Sequence, residues 1–174
     1  PCRYSGPATG LLCSVADRKD AALGKKDEWE IPQNLQPDPD EYGYDLAHAL
    51  QAVVGIKSYV PTDAFTADTL GTERAGSGVV IGSDGLIVTV GYLLTEADAV
   101  WVIDDSGRAT PAHIIGQDQE SGLGLVQPLE HRHRPPLSLG KSSEAAVGDS
   151  VIIASFGGRD HALATRIIAK QEFA

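Results

Sequence analysis

The side chains here that could exchange a proton near neutral pH or ligate a soft metal are few: five histidines and two cysteines. Histidine is the side chain whose ordinary pKa suits a general base at that pH. Cys2 and Cys13 lie near the N-terminus with no His or Cys partner at metal-ligand spacing. They read as two thiols in an unstructured segment or as a local disulfide, and they do not fix the compartment. The densest cluster is His131-Arg132-His133-Arg134. Imidazoles two residues apart could share a cation, but two adjacent guanidinium groups repel one, so the cluster reads as a local basic patch and not a metal site. His48 falls on a predicted helical turn, as a surface or capping residue. His113 sits among alternating residues, Ala112-His113-Ile114, at a half-exposed strand position, and His161 follows Asp160 in a loop, where nothing assigns it a serine to activate. Asp98 and Asp118 read as solvated turn carboxylates. The expectation is a chain with no metal and no cofactor.

The elements that must position these residues are mostly strands. Asp45–Leu50 (DLAHAL) suits one helical turn with Asp45 as its cap. Gln51–Val60 is rich in β-formers and ends at Pro61, and Thr62–Arg74 is polar and reads as a loop. Ser77–Ile81 and Leu86–Thr89 are apolar runs joined by Gly82-Ser83-Asp84-Gly85, a tight-turn signal. Ala99–Ile103 and Ala109–Ile115 repeat the arrangement around Asp104-Asp105-Ser106-Gly107. Leu123–Val126 is a further strand, Leu137–Gly148 a loop, and Val151–Ser155 and Ala162–Ala169 two more strands. Short, regularly spaced strands with Gly-containing turns predict an all-β, antiparallel barrel or sandwich.

Residues 1–44 differ from the rest. Asp17–Glu30 mixes both signs of charge, and Ile31–Tyr44 carries Pro32, Pro37 and Pro39 with Asp38, Asp40 and Glu41. Such a segment buries too little apolar surface to offset its ordering entropy, so it predicts a mostly solvated tail or linker, or a partner-binding arm. With 24 acidic against 14 basic residues the net charge is −10, which opposes nucleic-acid binding and docking on anionic membranes. No apolar run approaches the roughly 20 residues needed to span a bilayer. The chain opens on Pro1 and contains no Met, which predicts a processed start or a fragment. Gly10–Ala16 is apolar but too short, and too poorly flanked by basic residues, for a signal peptide.

One ordered series of motifs goes further. It comprises Gly76-Ser77-Gly78-Val79-Val80-Ile81, Asp84-Gly85-Leu86-Ile87-Val88-Thr89, Asp105-Ser106-Gly107-Arg108 and Gly116-Gln117-Asp118. It continues through Ser121-Gly122-Leu123-Gly124-Leu125, Pro136-Leu137-Ser138-Leu139-Gly140, Val147-Gly148-Asp149-Ser150-Val151 and Phe156-Gly157. In order and spacing this resembles the HtrA/DegP-type, trypsin-like serine proteases. The resemblance implies a chymotrypsin-type fold: a first barrel over about 45–130 and the start of an incomplete second barrel over about 135–174, together a partial protease domain over 45–174.

The departures from that family pattern bear on function. The family's catalytic His follows the strand matched by Leu86–Thr89, and there the chain has Tyr92. The catalytic Asp aligns with Gly122. A phenol, with an ordinary pKa near 10, stays protonated where a general base must accept a proton, and it lacks a second ring nitrogen for a carboxylate to orient. Glycine offers no carboxylate. The family's nucleophilic Ser belongs to a second-barrel Gly-Asn-Ser-Gly-Gly loop that this sequence lacks, so no triad member is expected among these residues. Tyr92 reads either as packing in the space of an imidazole or as part of a peptide-binding cleft.

Three functions follow as expectations. The first is a pseudoprotease that binds an extended peptide or a protein without cutting it. The second is a serine endopeptidase of HtrA type, acting in protein quality control, whose nucleophile lies outside these residues. The third is a truncated product with no function of its own. The resemblance leaves oligomerisation open, since the family often forms trimers and carries PDZ modules, and it leaves localisation open, since the family is commonly exported.

Overall fold

The computed structural model describes residues 30–130 and 134–171. The expectations for residues 1–29, for Cys2 and Cys13 and for His131 and His133 therefore lie outside the described residues. Among those described, eight strands run β1 (Val53–Tyr59), β2 (Glu73–Val80), β3 (Ile87–Val90), β4 (Ala99–Ile103), β5 (Ala109–Asp118), β6 (Leu123–Pro128), β7 (Ser150–Ala154) and β8 (Ala162–Arg166). The first six close into an antiparallel barrel in the order β1-β2-β3-β6-β5-β4, with β4 pairing back onto β1. This is the all-β barrel that the strand spacing predicts, and β7 and β8 form a separate two-stranded sheet.

Period-two alternation builds the barrel's interior. Val54, Ile56, Val80, Ile87, Val100, Val102 and Val126 point inward and are buried. Leu93 and Leu94 join the same core from the turn after β3. Buried in this way, aliphatic side chains each contribute about 1.5–3 kcal/mol relative to exposure. A register shift between Ile114 and Gly116 bends β5 against β6.

The β7–β8 sheet docks on the outside of β1 and β2. A Cβ at Gly55 would lie 3.0 Å from the Phe156 ring, so glycine there lets the ring approach β1 directly. The Phe156 N–H donates to Ser77 Oγ at 3.0 Å, and the Ser77 and Ser155 hydroxyls are 3.0 Å apart. The Leu137 N–H donates to the Val80 carbonyl at 2.9 Å as the connecting segment leaves the barrel.

Helix α1 (Leu46–Leu50) is the expected single turn, and the Asp45 carboxylate accepts from the His48 N–H at 2.9 Å. Two differences from the sequence reading concern 62–74. A short helix α2 (Ala67–Leu70) forms there, and β2 begins at Glu73, before the apolar run. Arg74 reads as loop because it is charged, yet it is 3% exposed, its guanidinium bound to backbone carbonyls of a neighbouring turn. Within the proline-rich segment, 3-10 turns form at Gln33–Leu35 and Pro39–Glu41, Pro37 is fully buried, and the Ile31 N–H donates to the Asp160 carbonyl.

Candidate functional site

Strand β3 runs directly into a 3-10 turn, Gly91–Leu93, whose middle residue is Tyr92. Leu93 and Leu94 bury into the barrel, which leaves Tyr92 facing out, 47% exposed. The Tyr92 side chain is therefore not part of the barrel core.

The turn is held from three sides. Ser58 Oγ on β1 donates to the Leu93 carbonyl at 2.5 Å. Arg74 Nη1 on β2 donates to the Tyr92 carbonyl at 2.6 Å and to the Thr95 carbonyl at 2.9 Å. Gln117 Nε2 on β5 donates to Thr95 Oγ1 at 2.8 Å, and Thr95 Oγ1 donates to the Gly91 carbonyl at 3.3 Å. The Gly91 N–H donates to the Gly122 carbonyl at 2.7 Å, which brings the two positions singled out in the sequence onto adjoining turns.

Gly122 ends the connection from β5 to β6 with φ at +70°, in the left-handed region that favours glycine. A Cβ there would meet nothing within 4 Å. Asp118 shapes this connection: its carboxylate accepts from the Ser121 N–H at 2.9 Å, and hydrogen bonding from Ser121 holds its pKa below the usual carboxylate range. Asp118 is thus a turn-forming carboxylate. Glu96, just past Leu94, is likewise committed, accepting from Phe65 N, Thr66 N and Thr66 Oγ1. The Thr66 hydroxyl and the Thr66 amide, opposed by desolvation and helped by the Phe65 amide and the Arg74 charge, keep its carboxyl below its ordinary pKa.

The remaining candidates lie elsewhere. His48 is exposed on α1 and His113 exposed on β5. His161 closes the 3-10 turn Gly158–His161, its ring against Gly157. Asp98 is exposed and uses its N–H to bond the Tyr59 carbonyl. Among the described residues no group of three or more His, Cys, Asp or Glu side chains could hold a metal, and no helix is long and apolar enough to cross a membrane. Sequence reasoning missed Arg74 and Glu96. Their signal is tertiary, since neither charge is part of a motif.

The described strands form a closed six-stranded antiparallel barrel followed by a further two-stranded sheet, which matches the trypsin-like fold. The profile of the trypsin-like peptidase domain matches residues 76–173, more than half of the chain, and the chain belongs to that family. Among curated relatives, a probable periplasmic serine endoprotease DegP-like of Hahella chejuensis is 36% identical over 80 residues, covering 46% of this chain and 17% of that protein. Serine protease HTRA1 of Xenopus tropicalis is 28% identical over 164 residues, covering 87% of this chain and 35% of that protein. The solved HtrA-type protease AlgW with tripeptide shares the fold at a TM-score of 0.57, with 24% identity over 71% of this chain and 38% of that one. The chain thus spans about a third or less of the length of these curated relatives.

Proposed function

We propose that residues 45–174 are part of a serine-protease-fold domain that binds an extended peptide or protein segment and, through these residues, does not cleave it. In this reading the first barrel spans about 45–130, the second begins near 135, and 1–44 is a tail or linker whose described part is anchored where the Ile31 N–H meets the Asp160 carbonyl. One observation carries the proposal: the Gly91–Gly122 hydrogen bond sets side by side the two turns where the family resemblance expects a base and its orienting carboxylate. What those turns offer instead is the phenol of Tyr92 and no side chain at Gly122. Two nearby carboxylates, Glu96 and Asp118, are occupied by backbone and hydroxyl donors.

A phenol serves binding better than proton transfer. It supplies apolar area and one hydrogen bond to a ligand, and half-exposed on a braced turn it loses little freedom on contact. The tripeptide that accompanies AlgW in its solved structure is consistent with a peptide ligand here.

The second reading, a serine endopeptidase of HtrA type, is favoured by the names of the relatives above, all of them proteases. An oxyanion hole and a serine without a base leave about 10³–10⁴-fold acceleration over water, far short of a working protease. The discriminating experiment takes the natural protein containing these residues and measures casein hydrolysis beside binding of an extended apolar peptide by fluorescence anisotropy. Binding without hydrolysis supports the proposal. Hydrolysis abolished by replacing one serine supports the second reading.

A further inference from the structure

Glu96 is the one non-glycine residue among those described with a left-handed backbone, at φ +58°. A side chain there is strained, and such a conformation persists only where the surroundings hold it. What holds it lies across the surface, in the loop that joins β1 to β2. Glu96 Oε1 accepts from the Phe65 N–H at 3.1 Å, and Oε2 accepts from the Thr66 N–H at 2.8 Å and from Thr66 Oγ1 at 2.5 Å. The Thr66 hydroxyl gives its proton to Glu96 and accepts one from Arg74 Nη2 at 2.8 Å. Arg74 then spends Nη1 on the Tyr92 and Thr95 carbonyls and Nε on the Gly71 carbonyl at 3.2 Å.

We propose that Glu96, Thr66 and Arg74 are positioning residues: they form a polar latch that makes the 61–71 loop and the Tyr92 turn one unit and sets the conformation in which Tyr92 is presented. Three features support this. The chain of contacts is continuous, from the loop's backbone through one carboxylate, one hydroxyl and one guanidinium to the carbonyl of Tyr92 itself. The guanidinium is buried, where its hydrogen bonds are strong and costly to lose. The loop carries Phe65, 93% exposed, beside the bonded amides, so a disturbance at this surface reaches the Tyr92 turn by a short path. The effect on a ligand rests on the peptide-binding reading above, whereas the latch itself does not.

The test is amide hydrogen exchange on the natural protein and on Thr66→Val, which keeps the shape and removes the hydroxyl, with Thr66→Ser as the conservative control. The Leu94 and Thr95 amides, both bonded to the Gly91 carbonyl, report on the turn, and the paired amides of β3 and β6 report on the barrel. The latch predicts that Thr66→Val accelerates exchange at Leu94 and Thr95 roughly tenfold or more while β3 and β6 stay unchanged, and that Thr66→Ser restores protection. Glu96→Gln, which leaves the core untouched, gives the same selective loss should Thr66→Val fold poorly. Unchanged exchange at the turn, or a uniform rise through the barrel, overturns the latch. In a parallel titration Thr66→Val weakens peptide binding and Thr66→Ser does not. Absence of binding by the unmodified protein, with the exchange pattern intact, removes the peptide-binding reading and leaves the latch standing.

Discussion

The Gly91 N–H and the Gly122 carbonyl are joined by a 2.7 Å hydrogen bond, so the turn that presents Tyr92 and the turn that ends at Gly122 are neighbours fixed in register. Tyr92 stands on the first of these turns and Gly122, with no side chain, ends the second.

That relationship predicts what substitution would do. Placing an imidazole by Tyr92→His and a carboxylate by Gly122→Asp should pair the two groups. A Cβ at Gly122 has open space, and the left-handed φ of +70° costs a non-glycine residue about 1 kcal/mol, least for Asp or Asn. The introduced imidazole should titrate about one pH unit higher in the double variant than in Tyr92→His alone, because the carboxylate favours the charged ring. Equal values by NMR titration would show that the two positions do not face each other.

Arg74→Met tests the brace. The variant leaves the Tyr92, Thr95 and Gly71 carbonyls without the guanidinium. Urea denaturation should register a loss of about 1–3 kcal/mol, the range for breaking the hydrogen bonds of a buried polar group. A loss below about 0.5 kcal/mol would mean that water replaces the guanidinium at no cost.

How much of this is legible in the sequence differs from residue to residue. Strand positions are legible because one face of each strand is buried, as Val100 and Val102 show on β4 and Val54 and Ile56 on β1. The Asp45 cap is legible because capping is local. Arg74 is not, because a charged residue before an apolar run looks solvated until the turn it binds is folded against it. Tyr92 and Gly122 are legible as types through the family resemblance, but their adjacency is a tertiary fact. Pro37, buried inside a segment that reads as solvated, shows the same limit.

Acid should loosen the Glu96 latch. Its carboxyl sits below the ordinary value of 4.5 because the Thr66 hydroxyl and the Thr66 and Phe65 amides favour the charged form. A folded-state pKa below the unfolded one means that the stabilisation is fully present above the unfolded value and is lost as pH falls through the folded value. The Tm difference between the natural protein and Glu96→Gln should therefore be flat at neutral pH and shrink as pH drops below 4.5. A difference that grows on acidification would reverse the assignment.

The contact between the two sheets can be strained at one atom. Gly55→Ala puts a Cβ 3.0 Å from the Phe156 ring and 3.3 Å from Ile103 Cβ. Phe156 must shift, at a cost of about 1–3 kcal/mol as in other overpacked sites. Pairing the change with Phe156→Leu should recover part of that loss in thermal unfolding. No recovery would place the clash on Ile103 instead.

The most direct test of the central claim is casein hydrolysis by the natural protein containing these residues, run beside peptide binding. A peptide-binding domain without a base should bind with no turnover above the buffer rate, and Tyr92→Phe should leave turnover unchanged. Hydrolysis that survives purification and disappears on replacing a single serine would contradict it.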